Sequence, residues 1–214
     1  MTNLGIIYKK LPNRGLPSKT EHFEIVHRNI DIQNYELSDG DILGQKSILV
    51  RGSVHAWSYA RSQRSKLEGS DISEVIKSKS DRYKVGDLIY AMIGWEQYTH
   101  IPVSKIATNH TIFCILPSSR KLPLSYYVGV LGIIGLTAYV GLKGIGKSKA
   151  GETIYISGFL VFDHFQKYNA DFIQKISKWL SEGKIRYRKT VTEGIEDAPD
   201  AFLGHVAGRE SWKG

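Results

Sequence analysis

The run Gly141-Leu142-Lys143-Gly144-Ile145-Gly146-Lys147-Ser148 spells the phosphate-binding pattern G-x-x-x-x-G-K-[ST] letter for letter. That chemistry needs a strand leading in and a helix leading out, so that loop N–H groups and a helix N-terminus converge on phosphate. Here a helix-like run precedes the string and a strand-like run, Thr153–Ser157, follows it. The order is reversed, and the match reads as a coincidence. The end of that strand is the second place where phosphate chemistry could sit. Residues 151–157 read as a turn feeding a buried strand, after which a nucleotide-binding α/β unit continues with a glycine-rich turn and a helix N-terminus. Instead Gly158-Phe159-Leu160-Val161-Phe162-Asp163 follows, a second apolar, strand-like run. The 57 residues after Ser157 contain no G-x-G-x-x-G.

Other reactive side chains are sparse. The single cysteine, Cys114, excludes an internal disulfide framework and a cysteine-rich zinc site. Its apolar neighbours in 111–116 favour a buried thiol over a nucleophile. The seven histidines follow no ligand spacing, and His100 and His110 read as surface or hydrogen-bonded side chains. Asn109-His110-Thr111 matches a glycosylation sequon, which means little without secretion. The N-terminus lacks the basic start and apolar core of a signal peptide, so the cytoplasm is the expected compartment.

The net charge of +8 and pI near 9.4 invite a nucleic-acid or membrane-surface reading. Along the sequence the cations look scattered, and the densest run, 184–189, alternates with apolar residues like a strand with one wet face. Neither nucleic acid nor membrane is therefore expected as a partner. Leu122–Leu142 is 21 residues long and uncharged, which by length could cross a bilayer. Pro123, four glycines and several polar side chains argue instead for a buried, broken pair of helices.

The elements that position these residues fall into two halves. Strands are expected at Gly5–Tyr8, Phe23–Arg28, Ser47–Arg51, Glu74–Ser78, Tyr83–Tyr90 and Gly94–Pro102, with turns at Pro12–Gly15, Pro17-Ser18, Ser38–Asp41 and Gly86-Asp87. That spacing suggests a small, partly open barrel. Later, Asp171–Leu180 places Phe172, Ile173, Ile176, Trp179 and Leu180 on one helical face, with Gly183 as terminator. A strand over Lys184–Val191, then a loop and a short helix within Glu193–Phe202, complete the series.

In this order the pieces resemble the zinc-independent medium-chain dehydrogenase/reductase superfamily, and within it the NADP-dependent alkenal/enone (prostaglandin-reductase-like) double-bond reductases. The stretches that carry the resemblance are Leu122–Tyr127, Gly129–Gly132, Gly135–Tyr139 and Lys149–Thr153, together with Tyr83–Asp87, Gly94–Tyr98, Gly158–Asp163, Trp179–Ile185 and Glu193–Phe202. The resemblance implies an α+β or α/β fold: a GroES-like β-barrel over 1–121, internally shortened, then a remnant of a Rossmann domain over 122–214. It implies reduction of the C=C bond of α,β-unsaturated aldehydes or ketones, with NADP(H) as cofactor, no metal, and a small-molecule enone or enal as substrate. With most of the Rossmann core absent, strand edges and apolar faces would be uncovered, so a homo-oligomer is expected.

Its site residues follow residue by residue. Tyr59 matches the family's tyrosine and is the candidate catalytic phenol, donating to a carbonyl or lining the nicotinamide pocket; it also reads as a plain loop aromatic. Arg61 matches the family's arginine, and Thr137 and Tyr139 lie at the domain junction. These three are the candidate cofactor-binding residues, though Thr137 and Tyr139 also read as helix-packing side chains. The departures are large. The dinucleotide turn and on the order of a hundred following residues are absent after Ser157, which removes the N–H and cationic contacts that hold a dinucleotide. A proline and a glycine-rich loop near Tyr59 are missing, and Glu210 stands where the family has an asparagine near the cofactor. The expected activity is thus an impaired reductase. The alternatives are a non-enzymatic remnant that associates with a full-length relative and, more weakly, a basic nucleic-acid-binding module.

Overall fold

The computed structural model describes residues 1–10, 17–48, 66–102, 104, 112–147, 151, 158–188, 192 and 194–207. The chain is an α+β protein of two compact units, one made of Met1–Ser119 with Thr190–Gly214, the other of Arg120–Lys189. In the first unit, β1 (Thr2–Tyr8) pairs antiparallel with β2 (Phe23–Asn29), and a short helix α1 (Lys19–His22) leads into β2. Its end is tied by His22, whose Nδ1 accepts the Ser18 N–H at 3.0 Å. Five further strands form an antiparallel sheet: β3 (Ile42–Ile48), β4 (Glu68–Ser78), β5 (Leu88–Gly94), β6 (Tyr98–Ile101) and β7 (Ile112–Ile115), in the order β6-β3-β4-β5-β7. Single bridges, Gly5 to Glu96 and Ile7 to Lys66, join the two sheets.

The strand expected at Ser47–Arg51 begins at Ile42 instead, and residues 49–51 lie outside the described ones. The reason is burial. Ile42 and Leu43 are both fully covered, Ile42 in a cluster with Val75, Tyr83 and Ile89, Leu43 in another with Ile30 and Leu37. Two large apolar residues buried on opposite faces fix the pairing better than the more polar residues that follow. The turn at Gly86-Asp87 forms as expected, with the Asp87 carboxylate accepting the Lys84 N–H at 2.8 Å before β5.

One ion pair lies inside this sheet. Lys46 Nζ stands 2.7 Å from Asp71 Oδ2, with both side chains 6% exposed. The other Asp71 oxygen accepts the Ile72 N–H at 2.8 Å. Burial pushes the Asp71 carboxyl above its ordinary value, and the Lys46 ammonium pulls it partway back.

The chain's C-terminal stretch was expected to continue the second region, 122–214. Instead its described residues pack with the first unit. Helix α5 (Ala198–Val206, counted fifth in chain order) has a proline in its first turn and sends Phe202 edge-on to Phe23 at 6.1 Å and to Trp95 at 5.9 Å. Ile195, Ala198 and Phe202 thereby complete a core with Ile6, Tyr8 and Leu67. Phe202→Ala is expected to destabilise the first unit by about 3 kcal/mol, the usual loss for a buried aromatic truncated in a packed core. Urea unfolding followed by tryptophan fluorescence measures it; a change under about 1 kcal/mol contradicts the packing.

The second unit contains α2 (Leu124–Tyr127), α3 (Ile133–Tyr139), a π-helical turn (Val140–Ile145) and the long α4 (Val161–Ser181). The broken helix pair expected over Leu122–Leu142 is present. Among the described residues no helix is long and apolar enough to cross a membrane. Between the two helices Gly129 leaves room for Tyr187: a Cβ added there would lie 1.8 Å from the Tyr187 hydroxyl.

Two strand expectations fail here. The run Gly158–Asp163 is not a strand, because α4 already begins at Val161. Its apolar residues Val161, Phe165, Tyr168, Phe172 and Ile176 recur at steps of three and four, a helical stripe that overrides the short apolar run. Within the stripe Phe172 and Ile176 are buried, whereas Trp179, further along the same face, is 38% exposed. The helix ends as expected at Gly183, at φ +70°: the Lys184 N–H reaches back to Trp179 O at 2.9 Å and the Gly183 N–H to Leu180 O at 3.1 Å. Residues 184–188 are likewise not a strand. Tyr187 is anchored edge-on to Tyr126 at 5.0 Å instead of pairing in a sheet. The expected strand Thr153–Ser157 lies outside the described residues.

Candidate functional site

Of the four site residues expected from sequence, Tyr59 and Arg61 lie outside the described residues, as does Glu210. Thr137 and Tyr139 are on α3, and both hydroxyls are committed within the second unit. Thr137 Oγ1 donates to Ile133 O at 2.7 Å, one turn back along its own helix. Tyr139 donates its phenol to Asp171 Oδ2 on α4 at 2.6 Å, while its ring packs 5.5 Å from Phe172.

Around that phenol the sequence assembles a polar brace that pattern reading missed. Lys143, one turn after Tyr139, donates to the Tyr139 hydroxyl at 2.9 Å and to Asp171, and its ammonium lies 5.2 Å from the Tyr139 ring. Lys175, one turn after Asp171, bridges the other carboxylate oxygen at 2.8 Å. Lys143 first, then Lys175 and Tyr139, hold Asp171 far below the usual carboxylate range, and Asp171 in turn raises Lys143. The available signal was the spacing: Tyr139/Lys143 and Asp171/Lys175 are each i,i+4 pairs. This brace ties α3 to α4. It leaves no free donor on Tyr139 aimed at a ligand.

The fit of a dinucleotide can be tested on the helix that follows the junction. In a nucleotide-binding unit this helix would present free N–H groups after a glycine turn. Here α4 is preceded by extended Leu160 and carries Asp163 in its first turn. A phosphate at that end would meet a carboxylate. The phosphate-binding look-alike fits no better, since Val140–Ile145 continues α3 as a π-helical turn. Among the described residues, neither of these two places fits the phosphates of a dinucleotide.

The first unit offers two smaller constellations. Glu96, 3% exposed, accepts from Arg28 at 3.2 Å and from Lys66 at 2.9 Å beside a shallow depression lined by Gly5, Ile6, Ile7 and Trp95. The depression encloses no room even for a water molecule, so it is not a seat for a substrate or cofactor. His100 pairs with Asp41 at 2.8 Å, a hydrogen-bonded histidine as expected; His110 lies outside the described residues. Burial pushes the Cys114 thiol up to about 11, so the thiolate that a nucleophile needs is scarce at neutral pH. Among the described residues no three His, Cys, Asp or Glu side chains gather as a metal site.

No family model matches the chain. A zinc-type alcohol dehydrogenase-like protein of Schizosaccharomyces pombe is 35% identical over 172 residues, covering 73% of this chain and 48% of that protein. An NADP(+)-dependent 2-alkenal reductase of Nicotiana tabacum is 35% identical over 113 residues, 46% of this chain and 31% of that protein. Prostaglandin reductase 1 of Rattus norvegicus is 29% identical over 153 residues, 64% of this chain and 42% of that protein. The crystal structure of CurA from Vibrio vulnificus has a TM-score of 0.74 with this chain at 17% identity, covering 98% of this chain and 96% of that one, a likeness of fold. The chain spans about half the length, or less, of the curated relatives it matches. It is a homologue of the NADP-dependent alkenal/enone and prostaglandin reductases of the medium-chain dehydrogenase/reductase superfamily.

Proposed function

We propose that this chain derives from NADPH-dependent reductases of the C=C bond of α,β-unsaturated aldehydes and ketones, and that as it stands it does not catalyse that reaction. In this reading the strands before residue 121 are a GroES-like barrel, shortened inside. The helices after residue 122 are what is left of a Rossmann domain. Tyr59 keeps the position of the substrate-facing phenol, with Arg61, Thr137 and Tyr139 as remnants of the cofactor side. The observation that supports loss of activity is the start of α4: Leu160 and Asp163 stand where a glycine turn and bare N–H groups are needed.

The test is NADPH oxidation followed by absorbance in the presence of a 2-alkenal or an enone. No turnover above the uncatalysed background is expected. Saturable, enone-dependent oxidation overturns the reading.

A second reading, a non-enzymatic partner of itself or of a full-length relative, is favoured by one observation. Ile134, Leu142, Leu160 and Trp179 of the second unit are 49%, 58%, 68% and 38% exposed. Apolar surface of that kind promotes association. Light scattering at physiological salt is expected to report a dimer or larger species; a cooperatively unfolding monomer contradicts it.

A further inference from the structure

The net charge of this protein is not dispersed over its fold. Residues 120–189 carry twelve of the 29 lysines and arginines but four of the 21 aspartates and glutamates. The remaining residues hold seventeen of each, so the first unit is neutral and the second carries the whole excess of +8. Reading the chain end to end hides this, because acidic residues of the tail follow the basic run 184–189 directly.

The described residues of the second unit set part of that charge in a row. Along α4, His164, Lys167, Asp171, Lys175 and Lys178, continued by Glu182, recur at steps of three and four and so share one face. At 1.5 Å per residue the row is about 27 Å long. Lys143 joins it at Asp171 and Lys184 at Glu182, the latter at 2.7 Å. Each carboxylate is therefore shared by two ammonium groups: Asp171 by Lys143 and Lys175, Glu182 by Lys178 and Lys184. Those four lysine side chains are 46%, 43%, 70% and 63% exposed. Lys167 adds a fifth cation. Aromatic rings lie beside the row: Tyr168 is 5.2 Å from Lys167, and Tyr139, whose ring also packs on Phe172, is 5.2 Å from Lys143.

We propose that this face of the second unit binds single-stranded nucleic acid along its phosphate backbone. A narrow row of cations with neighbouring aromatic rings is the arrangement that tracks a strand and stacks its bases. An anionic bilayer fits less well. A helix lying in a membrane surface must bury its own apolar face in the lipid, and the apolar face of α4, with Phe172 1% and Ile176 8% exposed, is already covered inside the unit. The proposal does not depend on the reductase ancestry, and its failure leaves that reading untouched.

Fluorescence anisotropy of a labelled oligouridylate, titrated with the full chain between roughly 0.05 and 0.2 M salt, tests it. Saturable binding that weakens steeply with salt is expected. The triple variant Lys167→Gln/Lys178→Gln/Lys184→Gln should reduce the salt slope by about 2 and weaken binding on the order of 100-fold at about 0.1 M salt. The control Lys9→Gln/Lys79→Gln/Lys84→Gln removes the same charge from exposed positions of the first unit and should leave binding within about twofold. Circular dichroism confirms that both variants are folded. Three results each overturn the proposal: no binding at the lowest salt, equal loss in the two triple variants, or equal or tighter binding to phosphatidylserine vesicles or to polyglutamate.

Discussion

Asp71→Leu is expected to lower the unfolding free energy by about 3–5 kcal/mol, the range for removing one partner of a buried ion pair. Lys46 lies on β3 and Asp71 on β4, neighbouring strands of the five-stranded sheet, and each side chain is 6% exposed. With leucine at 71, the Lys46 ammonium stays in the sheet with no anion. Neutralising it or re-exposing it both cost stability. The double variant Lys46→Met/Asp71→Leu removes both charges and should recover most of the loss. The reverse single variant separates the two partners. In Lys46→Met the carboxyl, already raised by burial, loses the ammonium that pulls it down. A folded-state value above the unfolded one means that the native protein binds more protons. Its stability contribution is then greatest at low pH and falls as pH rises through the raised value. Lys46→Met should accordingly be less destabilised near pH 5 than near pH 8 in urea unfolding. Equal loss at both pH values, or no recovery in the double variant, contradicts the assignment.

Much of the first unit was legible because its signals are local. The short runs Gly5–Tyr8 and Phe23–Arg28, the turn at Gly86-Asp87 and the run after it mark strands without reference to distant residues. What was illegible depended on partners. Ile42 and Leu43 start β3 early because two separate clusters receive them. The tail from Ile195 to Phe202 joins the first unit because Phe23 and Trp95 are there to be packed against. In the second unit the run Phe159–Phe162 suits a strand or a helix equally well, and only the stripe continuing through Phe172 and Ile176 decides. Of the site, Tyr139 was legible as a residue but its role was not. Its phenol faces Asp171, thirty-two positions away in sequence, and no local pattern announces that contact.

The larger expected effect concerns the cofactor. Charge-assisted hydrogen bonds contribute about 1.5–3 kcal/mol each. Losing three such contacts to the dinucleotide phosphates amounts to about 5–9 kcal/mol, or roughly three to six orders of magnitude in affinity. Among the described residues nothing replaces them: Thr137 is bonded to its own helix, Tyr139 to Asp171, and α4 begins with an acidic first turn. Isothermal titration calorimetry of the full chain with NADPH, and with NADH for comparison, tests this directly. The expected result is no saturable heat for either nucleotide, with any dissociation constant weaker than about 1 mM. Micromolar binding of NADPH with weaker binding of NADH would mean that the chain still builds a phosphate site, and the account of it as a reductase homologue without its cofactor seat would be wrong.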